Sequence, residues 1–158
     1  MNKLLEGKSA RKLIVGIKVE RPSSLLPQAA DVVANVLPIF NIIGGRVAIT
    51  QIIGEVTVVI AGGACNTSLE GNPAVGTMVP ICAVLATTVD EAGCLYGITG
   101  LNTDALIGIN AGALPGQERD VILSVGALDW RTSADNTGEV KWTVFYVPVD
   151  DGAYMTRA

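Results

Sequence analysis

The carboxylates are the first residues to weigh for chemistry, because the 158-residue chain contains no histidine. Without imidazole the usual general base is missing, and with it the Ser-His-Asp and Cys-His arrangements and nearly all catalytic zinc sites. Paired carboxylates then remain the simplest route to acid–base catalysis. Three pairs stand close in sequence: Asp90 with Glu91, Glu118 with Asp120, and Asp150 with Asp151. All three lie among turn-forming residues, where acidic side chains serve solvation and capping, so no catalytic role is expected of them. The stretch Asp135-Asn136-Thr137-Gly138-Glu139 has the composition of part of a calcium loop but lacks its ligand spacing, and a hairpin turn accounts for it better. Cys65, Cys82 and Cys94 are odd in number, form no CxxC pair and have apolar neighbours without an adjacent Lys or Arg. They read as small buried hydrophobes in a reducing compartment. No glycine-rich phosphate loop is present. Trp130 and Trp142 suit either a sugar-stacking site or an anchor in a core or interface, and the anchor is the expected role. No enzyme activity, cofactor, metal or small-molecule substrate is expected.

The elements that must position these residues are strands. Val47-Ala48-Ile49-Thr50-Gln51-Ile52-Ile53 and Val56-Thr57-Val58-Val59-Ile60 are dense in β-branched residues, with Gly54 between them as a bulge or bend. Further runs cover Leu13 to Val19, Met78 to Thr87, Leu95 to Thr99, Val121 to Leu128 and Val140 to Val147. Turn-formers separate them, among them Gly62-Gly63, Gly71-Asn72-Pro73 and Glu91-Ala92-Gly93. Many short strands punctuated in this way predict an all-β, single-domain sandwich or barrel of antiparallel strands. Two hairpins are expected. One joins Ile39–Ile43 to Arg46–Gln51 through Gly44-Gly45, and the other joins Asp129–Thr132 to Glu139–Tyr146 through residues 133–138. Val140, Trp142, Val144 and Tyr146 share one face of the last strand; Lys141, Thr143, Phe145 and Val147 share the other. Large apolar groups on both faces place this strand between a core and an interface. At most one short helix is expected, over Pro27 to Val36, with Ser24 near its start and Pro38 ending it.

Hydrophobic residues make up 49% of the chain and charged residues 16%, and mean hydropathy is +0.46. Soluble domains carry about 25% charge, so this chain is short of the ionised groups needed to wet an isolated surface. Part of its apolar surface is therefore expected to be covered by copies of itself or by a partner. Pro38, Gly44-Gly45, Arg46 and Glu55 interrupt the most apolar region, so no membrane span is expected. Nor is a signal peptide, given Glu6, Lys8, Arg11 and Lys12. Residues 1–21 hold six basic and two acidic groups, net +4, while residues 22–158 are net −8. A basic arm before an acidic domain over 22–158 suits an acidic surface on a neighbouring subunit, nucleic acid, or plain solvation. With 4% aromatic residues and no basic patch among them, stacking on nucleic acid is not expected.

Three stretches, taken together, resemble a known class. Leu37-Pro38-Ile39-Phe40-Asn41-Ile42-Ile43-Gly44-Gly45-Arg46-Val47 runs into Ile53-Gly54-Glu55-Val56-Thr57. Asn72-Pro73 to Cys82-Ala83-Val84-Leu85 follows, then Gly138-Glu139-Val140-Lys141-Trp142 with Tyr146-Val147-Pro148-Val149-Asp150-Asp151-Gly152-Ala153. Over about residues 22–153 the pattern is similar to small virion proteins of tailed bacteriophages, most of all the cement or decoration proteins of the head. The resemblance implies a homotrimer on the capsid exterior, made in the host bacterial cytoplasm, that bridges subunits of the major capsid protein. The arm would add a strand to an exposed sheet edge. Arg11, Lys12, Leu13, Ile14, Val15, Ile17 and Val19, with Trp130 and Trp142, are the expected partner contacts. A tail or baseplate subunit, and a virion-displayed carbohydrate-binding module or small glycosidase using the tryptophans and turn carboxylates, are the competing readings.

Overall fold

Strict alternation of buried and half-buried residues along one long strand sets the architecture. In β11 (Thr137–Pro148) the side chains of Val140, Trp142, Val144 and Tyr146 point into the core, and Lys141, Thr143 and Phe145 lie half-buried on the opposite face. The computed structural model describes residues 16–28, 35–87, 89–110 and 112–158. Among these, β11 is flanked by β1 (Ile17–Leu25) and β3 (Val47–Ala61). The sheet continues from β3 to β7 (Leu95–Gly97) and β8 (Ile107–Ile109), and β9 (Val121–Leu123) also pairs with β3. A second sheet runs in the order β12 (Tyr154–Arg157), β2 (Val36–Ile43), β10 (Gly126–Thr132), β4 (Asn66–Pro73) and β5 (Val79–Pro80), with β6 (Leu85–Ala86) also on β4. All these pairings are antiparallel, and the two sheets pack face to face as a sandwich in one domain.

The tryptophans meet between the layers. Trp142 projects from β11 and Trp130 from β10 of the other sheet, with ring centroids 5.4 Å apart and planes at 71°. Both are fully buried, and Tyr96 of β7 lies 6.2 Å from Trp142. Phe40, Leu69 and Leu128 surround them from the second sheet, and Ile52, Val56 and Val144 from the first. Gly54 lies directly beneath the six-membered ring of Trp142. A Cβ there would come within 2.8 Å of Trp142 Cζ3, so the residue is kept small by packing.

Several expectations are corrected by the pairing. β3 is one continuous strand, and its register with β11 is unbroken across Gly54, which is therefore neither a bulge nor a bend. Neither hairpin forms. β2 and β3 belong to different sheets, as do β10 and β11, so the Gly44-Gly45 link and the 133–138 link are corners that carry the chain from one layer to the other. Gly44 has φ +78, which suits a tight turn of either kind, and distant partners decide between them: β2 is claimed by β10 and β12, β3 by β11. The run Val121 to Leu128 divides in the same way into β9 of one sheet and β10 of the other. Gly71-Asn72-Pro73 forms the end of β4, not a turn. For the expected helix, Ser24 lies in β1, Pro27 and Gln28 have no regular structure, and Val36 opens β2, which runs through Pro38; residues 29–34 lie outside the described residues.

The crowding at Gly54 yields an expectation opposite in sign to strand propensity. Replacing a mid-strand glycine ordinarily helps, but Gly54→Ala is expected to destabilise the protein by about 1–3 kcal/mol through overpacking against Trp142. Gly63→Ala, where a Cβ would meet nothing within 4 Å, is expected to be close to neutral. Urea unfolding midpoints of the two variants check this.

Candidate functional site

The most unusual polar arrangement lies on the outer face of the second sheet. In β10 the apolar side chains of Leu128 and Trp130 turn inward, which sends Asp129 and Arg131 outward. The ladder sets Asp129 opposite Glu70 of β4 on one side and Pro38 of β2 on the other, and Glu70 opposite Pro80 of β5. A row Pro38–Asp129–Glu70–Pro80 thus crosses the sheet, with two like charges paired at its centre and a proline at each end. Asp129 is 1% exposed and Glu70 7% exposed, low values for carboxylates on an outer face. Asn72 Nδ2 donates to Asp129 Oδ2 at 2.9 Å, and Arg131 Nε lies 2.8 Å from Glu70 Oε1 as an ion pair without hydrogen-bond alignment. Glu70 Oε2 and Asp129 Oδ1 are buried with no hydrogen-bond partner. Burial, reinforced by the Glu70 charge, pushes the Asp129 carboxyl above its ordinary range, while Asn72 and Arg131 oppose that shift. Burial favours the neutral form of Asp129 in this row. The row is closed to ligands, because Glu70 Oε2 and Asp129 Oδ1 are covered.

A groove opens where β9 of one sheet and β5 of the other border the sandwich. It encloses about 360 Å³, with Ile81, Leu123, Ala127 and Gly71 among its lining and Val79, Leu101 and Ile122 at its sides. Ile122 and Val79 are 62% and 53% exposed, and Val75 and Val125 stand exposed beside them, joined by the Ala74 N–H to Val125 carbonyl bond of 2.8 Å. β9 pairs only with β3, and β5 only with β4, so each offers an outer strand edge unpaired among the described strands. A second exposed apolar group surrounds the Gly44–Arg46 corner: Ile43 and Tyr154 face each other across β2 and β12, with Val147 and Val149 nearby. Hydrogen bonds tie this corner together. Asp150 accepts from the Arg46 backbone N–H, from Nε at 2.9 Å and from Nη2 at 2.7 Å, and those bonds hold its carboxyl well below the usual range.

The residues singled out from sequence fall into three groups. Trp130 and Trp142 are core, so neither is a partner contact or a sugar platform: both rings are needed to fill the space between the layers. Ile17 and Val19 belong to β1, an edge strand of the chain's own sheet, and the boundary at residue 21 cuts through that strand. Ile17 is exposed and Val19 packs against the core. Arg11, Lys12, Leu13, Ile14 and Val15 lie outside the described residues. The three acidic pairs remain in loops, with Asp90 accepting from the Tyr96 hydroxyl and Asp150 held by Arg46. All three cysteines are free and buried, and burial pushes the thiols of Cys82 and Cys94 up to about 11. No group of three or more metal-ligating side chains converges among the described residues. Comparison with known protein families, curated proteins and solved structures finds no match. The Asp129–Glu70 row and the groove were missed from sequence. Alternation in Leu128–Thr132 signals that Asp129 and Arg131 share a face, but no local pattern pairs them with Glu70.

The buried row has a consequence for stability. A carboxyl whose folded pKa is raised binds more protons when folded than when unfolded, so its contribution is greatest at low pH and is lost as pH rises past the ordinary Asp value. Asp129→Asn keeps the shape and removes the charge. Relative to the wild type, this variant is expected to gain stability between about pH 4 and about pH 7; a difference flat with pH, measured by thermal unfolding, contradicts the assignment.

Proposed function

We propose that the chain is a structural subunit of a tailed-phage virion that decorates the capsid as a homotrimer and cements neighbouring major capsid protein subunits. The observation that carries the proposal is the grouping of exposed aliphatic side chains at the sandwich's open borders, beside strand edges that have no partner. Ile43, Val147, Val149 and Tyr154 at one corner and Val75, Val79, Ile122 and Val125 at the groove stay open to solvent in a single copy. Surfaces of this kind are stabilised by burial against other chains. The shortage of charge, at 16% of residues, points the same way. A protein that must hold a shell together against internal pressure needs apolar area, unpaired edges and a rigid body, and the Arg46–Asp150 clamp stiffens the corner that would carry the load.

A tail or baseplate location would draw on the same surfaces, so location needs a direct readout. The carbohydrate-binding alternative loses support, since the tryptophans it requires are enclosed between the sheets.

Purified protein is expected to co-sediment with expanded heads assembled from the cognate major capsid protein. Ile43→Asp and Val149→Asp, both at exposed positions, are each expected to weaken that binding roughly tenfold or more. Co-sedimentation with tails alone would move the subunit to the tail, and binding to neither would sink the proposal.

A further inference from the structure

A second, smaller cavity opens between the end of β1 in one sheet and Leu37 of β2 in the other. It encloses about 220 Å³, with Leu25, Leu26, Pro27 and Leu37 as aliphatic walls and Arg21 and Ser24 among them. The register of β1 on β11 explains how a charge comes to be there. Arg21 pairs with Trp142 and Ser24 with Val140, both of which point into the core, and β1 carries one extra residue between the two pairs. That bulge turns Arg21 and Ser24, three residues apart, to the same inward face. There Arg21 Nη1 donates to Ser24 Oγ at 2.8 Å.

The walls are tied in place. The Leu26 amide bonds to the Gly138 carbonyl at 3.3 Å, and the Pro27 carbonyl accepts from the Thr132 hydroxyl at 2.9 Å. Gln28 Nε2, also at the cavity, donates to the Leu26 and Asn136 carbonyls. The guanidinium, by contrast, lacks a counter-charge. Arg21 is half-buried and forms no ion pair among the described residues, and its hydrogen bond there goes to Ser24. Partial burial lowers its pKa, and no carboxylate stands close enough to oppose the shift. Nε and Nη2 together form the planar fork that matches both oxygens of a carboxylate, and Ser24 keeps its own hydrogen to donate beside it. Arg157 of β12, a strand that lies against β1, also forms no ion pair among the described residues. Two uncompensated guanidiniums in a chain of net charge −4 give this border a sign opposite to the rest. An inward charge on an edge strand also deters stray pairing, but that role needs neither a cavity nor a hydroxyl beside the fork.

We propose that this cavity binds a carboxylate carried on a short aliphatic stem. The Arg21 fork takes the two oxygens, the Ser24 hydroxyl donates to one of them, and the stem lies against Leu26 and Leu37. The volume of about 220 Å³ falls below the roughly 300–1,000 Å³ of drug-sized sites, so the guest has few atoms. A free organic acid and a glutamyl side chain of another protein chain present this same group. The site stands apart from the decorating role proposed above and does not depend on it.

The test titrates isotopically labelled full-length protein with butyrate, acetate and butyramide at constant ionic strength, following the Arg21 Nε–H resonance by NMR. That resonance is assigned by its loss from Arg21→Lys. A saturable shift with butyrate is expected, severalfold weaker with acetate, which lacks the stem, and about tenfold or more weaker with uncharged butyramide. Arg21→Gln, followed at the Ser24 and Leu26 amides, is expected to bind butyrate about tenfold or more weakly. Arg21→Lys keeps the charge without the fork and is expected to fall between. Should Arg21→Gln fail to fold, Arg21→Lys and butyramide still decide. N-acetylglutamate N-methylamide separates the two sources: binding as tight as butyrate assigns the site to a side chain of another chain, and its exclusion assigns the site to a free acid. The inference is overturned by the absence of a saturable shift, by equal binding of acetate or butyramide, or by unchanged binding in Arg21→Gln. Binding that appears only in Asp31→Asn would show the chain's own carboxylate in the site and overturn it as well.

Discussion

The fold depends on the contact of Trp130 with Trp142 across the two sheets. Each indole comes from a central strand of its own layer, and they meet edge to face with Tyr96 tilted against one of them. Aromatic pairs in this geometry add about 0.5–1.5 kcal/mol beyond their burial, and truncating a buried Trp typically costs about 3–5 kcal/mol. Their volume dictates neighbouring residues. Gly54 is small because Trp142 lies over it, and Thr67 is polar in a buried place because Trp130 Nε1 donates to its hydroxyl at 2.6 Å. Trp142 Nε1 has no partner among the described residues, so its value to the protein lies in packing rather than hydrogen bonding.

From that centre the layers grow outward and run out of cover. The middle strands β11, β3, β10 and β4 are long or fully flanked, whereas β5, β6, β8 and β9 are two or three residues each. Short edge strands are a common defence against unwanted pairing. Here β5 and β9 border an aliphatic groove, and the proposed contact with other chains draws on that combination. The outer face of the second sheet obeys a different constraint: Pro38 and Pro80 remove ladder donors at either end of the row that buries Asp129 and Glu70.

The class of fold was legible because it is encoded locally. The β-branched run of β3, the Gly62-Gly63 turn and the alternation of Val140, Trp142, Val144 and Tyr146 survive in the structure, whereas the run Met78 to Thr87 is reduced to β5 and β6, each of two residues, separated by residues 81–84. Sheet membership was not legible. A Gly-Gly link serves a hairpin or a corner equally well, and the choice rests on β10, β11 and β12, which lie far along the chain from the strands they claim. β4 was hidden by its composition, since Asn-Thr-Ser-Leu-Glu-Gly-Asn-Pro has the residues of a loop and is a strand only because β10 pairs with it over seven residues. The candidate surfaces were half legible. Excess hydrophobicity announced that apolar area would be left uncovered, but which residues formed it depended on where the two sheets stop.

The proposed assembly requires that this chain be completed by other chains. Light scattering on the purified full-length protein, across a rising concentration series, measures it most directly. A mass near three times that of the 16.4 kDa chain is the expected result. A single-chain mass that persists at the highest concentration, with no tendency to associate, would contradict the account.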